Sequence, residues 1–208
     1  MKKLICIFAA VMILAGCAWA EGTGTEAWQH EAGWISFQKA VSGEELESVW
    51  QESAEAFSIR MKMPGLPLEQ LKEMLLQGYS LENGVEEILA EGNRFTGKNA
   101  DQVVFSHEYA LVETIEEAGL MGGARIHVFR TEEPDAGQYT FLLLTDPVKT
   151  EGEGTGYVTF NLYCTGNEQY RELVTSGTAV LACPMIEKDT GTEALEFAVR
   201  RLFSVDDQ

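Results

Sequence analysis

The chain has 208 residues, 15 of them basic and 33 acidic, for a net charge of −18. That length supports one domain of ordinary size with a real core. The acidic surplus excludes nucleic acid and anionic lipid headgroups as partners by repulsion, and solubility is the first role expected of it.

Met1-Lys2-Lys3 is a short cationic start, and an uncharged apolar run follows from Leu4 to Ala15. At about 1.5 Å per residue this run makes roughly 18 Å of helix, short of a ~30 Å hydrocarbon core. It suits the apolar segment of a signal peptide better than a permanent span. The run ends Leu14-Ala15-Gly16-Cys17, which resembles the bacterial lipobox. The resemblance implies cleavage before Cys17 and acylation of its thiol. Residues 1–16 are then the signal, 17–27 a flexible tether, and 28–208 a single domain lipid-anchored on the outer face of the cytoplasmic membrane, or in the periplasm or outer membrane. Losing Lys2 and Lys3 takes the net charge to −20.

Trp28, Gly33, Trp34, Ile35 and Phe37 read as a first strand. Ser42 and Glu45 have capping-box spacing, and Leu46, Val49, Trp50, Ala54 and Phe57 recur at helical period. Pro67 opens a second helix with Leu68, Leu71, Met74 and Leu75 on one face, and Gly78 closes it. Val85 to Ala90 and Arg94 to Thr96 flank Glu91-Gly92-Asn93, a hairpin turn. Strands are then expected over Gln102 to Glu113, Gly123 to Thr131, Gln138 to Thr145 and Gly156 to Cys164, the last with Val158, Phe160, Leu162 and Cys164 on one face. Asn167 to Ile186 fits neither pattern. Thr190 and Glu193 repeat the capping-box spacing before Leu195, Val199, Leu202 and Phe203. Consecutive strands without intervening helices predict a mainly β (α+β) fold, an antiparallel lipocalin/calycin-like barrel, closed or nearly so, with flanking helices.

Motif searches exclude more than they find. Gly92, Gly97 and Lys98 fit a phosphate loop except that Asn99 replaces the Ser or Thr. The ladder Gly152, Gly154, Gly156 precedes a strand rather than a helix, so it reads as a hairpin loop. His30-Glu31 and His107-Glu108 begin like a zinc-protease motif, but Trp34 and Leu111 take the last place. No G-x-S-x-G elbow occurs, and no constellation points to an enzyme. Beyond Cys6 and Cys17 only Cys164 and Cys183 remain, as one disulfide or as two buried thiols.

This order of elements resembles the ZinT (YodA-type) zinc-binding, lipocalin-like domain. Gly33-Trp34-Ile35-Ser36, Ser42-Gly43 with Leu46 to Gln51, Leu71 to Tyr79 then Val85 to Gly92, Tyr139 to Asp146 and Phe160-Asn161-Leu162-Tyr163 carry it. The resemblance implies an extracytoplasmic binding protein for a metal or small solute, working beside a membrane with a transporter or surface protein. It places the family's zinc-binding imidazoles at Pro147, Thr159 and Asn161, none of them histidine. Zinc is therefore not the expected ion, and no metal ligand carries over. Asp146, His107 and His127 are the replacement donors, and with Thr159 and Asn161 they form the candidate pocket at the barrel mouth. The alternative is a structural or protein-interaction lipoprotein with a packed interior.

Overall fold

The computed structural model describes residues 24–61, 67–79, 84–116, 125–175 and 183–204; the expected signal segment, Cys17 and the rest of the chain up to residue 23 lie outside them. The elements run β1 (Trp34–Ser36), α1 (Phe37–Ala40), α2 (Glu47–Arg60), α3 (Leu68–Leu76), β2 (Glu87–Glu91), β3 (Arg94–Asn99), β4 (Gln102–Glu108), β5 (Ala110–Ile115), β6 (Ile126–Arg130), β7 (Phe141–Thr145), β8 (Val148–Glu151), β9 (Gly156–Thr165), α4 (Tyr170–Thr175), β10 (Pro184–Glu187) and α5 (Thr192–Leu202). Among the described residues no helix is long and apolar enough to cross a membrane.

The strands hydrogen-bond antiparallel in the order β4-β3-β2-β1-β10-β9-β7-β6-β5, and β8 pairs with the first half of β9. The result is a curled half-barrel with flanking helices, the lipocalin-like architecture that the strand count predicts. It is not a simple meander. β1 sits between β2 and β10, so the first and last strands meet at the centre of the sheet. Such long-range pairing leaves no trace in local periodicity.

Period-two alternation decides what faces where. Val158, Phe160, Leu162 and Cys164 of β9 join Trp28, Trp34, Phe95, Phe105, Phe129, Leu142, Leu144 and Met185 in one cluster on the concave face. Trp28, Phe95, Phe129, Phe160, Leu142, Leu144 and Leu162 rank among the largest fully buried side chains. On the convex face α1, α2, α3 and α5 pack through Phe37, Trp50, Phe57, Leu71, Val199 and Phe203 against Tyr157 and Ile186. A third cluster sets Val174 of α4 on Ile126, Val128, Phe141 and Leu143.

Several local expectations give way to tertiary context. The first strand shortens to Trp34–Ser36, because Trp28 lies in a 3-10 turn (Glu26–Trp28) that tucks its ring into the concave cluster. Neither capping box forms: the Ser42 hydroxyl donates back to Gln38 O at 2.6 Å to close α1, and the Thr190 hydroxyl donates to Glu187 O at 2.6 Å. Ser36 caps α1 instead, accepting from Lys39 N–H at 3.2 Å. The run Gln102 to Glu113 breaks at Tyr109, and its halves pair with different partners, β4 with β3 and β5 with β6. The Tyr109 hydroxyl donates to Tyr139 O at 2.6 Å there, and burial pushes its pKa strongly up, so it stays a donor. Part of the unassigned stretch forms α4 and β10.

Two glycines carry geometry. Gly92 has φ +58° in the β2–β3 turn, a region open to glycine. At Gly97 a Cβ would lie 2.1 Å from Cε1 of Phe105, so only a hydrogen lets that ring cross the strand.

Candidate functional site

Polar side chains gather at the rim of the half-barrel in three groups. The first includes two predicted pocket residues. His127, near the start of β6, faces the concave side, with its ring 5.1 Å from that of Trp28. Its Nε2 lies 2.8 Å from Asp146 Oδ1, and its Nδ1 is 3.3 Å from the Thr114 hydroxyl. Arg125 Nε donates to the other Asp146 oxygen at 2.9 Å. Burial alone would raise the Asp146 pKa; the bonds and charges of His127 and Arg125 outweigh it and hold it below the ordinary 3.8. With a guanidinium on one oxygen and an imidazole on the other, this carboxylate is already satisfied.

The second group lies beyond the other end of β6. His107 of β4 is buried, its Nδ1 2.8 Å from Glu133 Oε2. Glu133 Oε1 accepts the Glu108 N–H at 3.1 Å, and Asp135 stands near enough to complete a three-donor set. The His107 bond, then the Glu108 N–H, hold the Glu133 pKa below its ordinary value. His107 and His127 thus share the concave face but not a site.

Thr159 and Asn161 point the other way. Thr159 pairs with Ile186, which belongs to the helix-covered cluster, while Phe160 pairs with Met185 of the concave cluster. Asn161 shares the face of Thr159 and pairs with Pro184; its Oδ1 is buried without a hydrogen-bond partner among the described residues. Pro147 is in the two-residue link between β7 and β8. The five pocket residues therefore do not converge. The concave positions on β9 are Phe160 and Leu162, both apolar and buried. Cys164 and Cys183 are both buried and are not joined as a disulfide. Cys17 lies outside the described residues.

The third group was not anticipated from sequence. His30 Nε2 lies 3.7 Å from Glu187 Oε1 and 3.6 Å from Asp189 Oδ1. Two turns hold it together. Gly33, at φ +73°, closes the first with its N–H on His30 O at 2.9 Å. The second follows β10, with Thr190 N–H on Glu187 O at 3.1 Å, and Lys188 N–H joins the two by donating to Gly33 O at 3.0 Å. The Lys188 ammonium turns away to Glu87 at 2.8 Å. Burial first, then the Asp189 charge, push the Glu187 pKa up against the lowering by His30. The only sequence signal here was the failed motif at His30-Glu31.

No protein-family model matches the chain, and no curated protein matches it in sequence. Solved structures do. The Zn(II)-bound ZinT-like domain of Streptococcus pneumoniae AdcA superposes with a TM-score of 0.53 at 18% identity, over 91% of this chain and 95% of that one. Zn(II)-bound AdcA from Streptococcus pneumoniae gives 0.53 at 13% identity over 89% of this chain, which spans 37% of the AdcA chain. The likeness extends over nearly all of the ZinT-like domain, and the fold of this chain is ZinT-like.

Proposed function

We propose that this chain is a lipid-anchored, extracytoplasmic binding protein that captures a divalent cation at the rim of its half-barrel, close to a membrane and for a partner transporter or surface protein. The observation that supports it is where the donors lie. Large apolar side chains fill the concave face, whereas imidazole and carboxylate groups within metal-ligand reach of one another assemble at the rim. The ZinT-like neighbours were crystallised with Zn(II), which favours a cation over an organic solute. The lipobox-like segment at Cys17 supplies the tether, and two or more acyl chains suffice for stable anchoring.

The filled interior favours a second reading, a structural or protein-interaction lipoprotein with no ligand. One experiment separates them. The full-length protein in detergent is stripped with chelator and melted with zinc, manganese, nickel or calcium. A cation at 100 times its dissociation constant adds about 2.7 kcal/mol. That raises the melting temperature by roughly 5–11 °C for a domain of this size. No shift with any of the four removes cation binding and leaves the structural reading. The tether is tested apart: Cys17→Ser is expected to move the protein from the membrane to the soluble fraction, and unchanged membrane retention overturns the anchor.

A further inference from the structure

We infer that the cation site is the group formed by His30, Glu187 and Asp189, an inference that rests on the cation-binding reading above. The three rim groups differ in one respect. At His127 and His107 the imidazole sits 2.8 Å from its carboxylate, and the second carboxylate oxygen is taken by Arg125 or by a backbone N–H. Those groups are closed by their own hydrogen bonds. At His30 the separations are 3.6 and 3.7 Å, too long for a hydrogen bond. Ligands about 2.0–2.2 Å from a common cation stand roughly 3–3.6 Å apart, so this spacing is close to that of donors around an ion.

Two further observations point the same way. Nε2, the His30 nitrogen that faces the carboxylates, has no hydrogen-bond partner among the described residues and stands beyond bonding distance of both. Glu187 and Asp189 have no lysine or arginine partner among the described residues, since the nearby Lys188 ammonium is bound to Glu87. An imidazole and two carboxylates left without a protein cation are completed by an external one. One nitrogen and two oxygens suit a first-row ion such as zinc or manganese, and three protein ligands leave a position open for exchange. None of the three lies at Pro147, Thr159 or Asn161, so this is a different set of residues from the positions that the ZinT resemblance marks.

The test is isothermal titration of the full-length, chelator-stripped protein with zinc and with manganese, for the wild type, His30→Ala, Glu187→Gln and His107→Ala. The wild type is expected to bind one equivalent. His30→Ala and Glu187→Gln should each weaken binding at least tenfold, the lower limit even for disturbing groups around a bound metal. His107→Ala should leave it unchanged. Glu187→Gln preserves size, and circular dichroism checks that each variant is folded. Wild-type affinity in both His30→Ala and Glu187→Gln overturns this site while cation binding stands. Loss in His107→Ala alone moves the site to the other rim group. No binding by the wild type overturns both readings.

Discussion

Replacing Trp28 by alanine asks whether the concave face is core or pocket. The side chain is 2% exposed, its Nε1–H donates to Thr145 O at 3.1 Å, and its ring meets those of Phe129 and His127 edge-on at 5.3 and 5.1 Å. Its backbone carbonyl also accepts the Trp34 Nε1–H at 2.7 Å. Truncating a buried tryptophan costs about 3–5 kcal/mol, and two edge contacts with a buried hydrogen bond place this one toward the upper end. The expected loss is about 4–5 kcal/mol, a fall in melting temperature of roughly 8–20 °C. Urea unfolding of the full-length protein, followed by circular dichroism, reads it as a lower midpoint at unchanged slope. Trp28→Phe keeps a ring and loses the donor, for about 1–2 kcal/mol. A Trp28→Ala variant within about 1 kcal/mol of wild type would refute the reasoning and make Trp28 a lid over a binding cavity.

Three other predictions follow from single contacts. Gly97→Ala drives a methyl group into the Phe105 ring and should cost about 1–3 kcal/mol; an unchanged melting temperature would count against that crossing. Asp146 titrates below its ordinary value in the fold, so the stability it contributes is complete above the unfolded pKa of about 4 and is lost as the pH falls through the folded value. Asp146→Asn should therefore be less stable than wild type near pH 6 and converge on it toward pH 2, and a gap that does not change with pH would dismiss the pairing. With Cys6 and Cys17 replaced by serine, Cys164 and Cys183 should resist a thiol reagent in the native protein and yield two equivalents on unfolding without reductant. Thiols that appear only after reduction would establish the disulfide.

Elements with their own periodicity were legible from sequence. The α2, α3 and α5 stripes, the β2–β3 turn at Gly92 and the alternation in β9 are encoded within a dozen residues, and each stands where that pattern puts it. The short strands β8 and β10, only four residues each, were not legible, because so few residues carry no period. The candidate site was legible only as a list of donors. Alternation alone assigned Val158, Phe160, Leu162 and Cys164 to one face, and by the same rule Thr159 and Asn161 to the other; which face is concave depends on β10 lying beside β9.

The sequence by itself determined the apolar run with its cysteine, the acid excess and the mainly antiparallel β character, since each is a property of composition or of neighbouring residues. Only the tertiary structure decided which donors meet. His30 and Glu187 are 157 positions apart in the chain, and they approach because β1 pairs with β10 in the middle of the sheet. Such a pairing is selected by the burial of Trp34, Ile186 and Met185 against distant partners, a collective free energy that no local stretch of sequence contains.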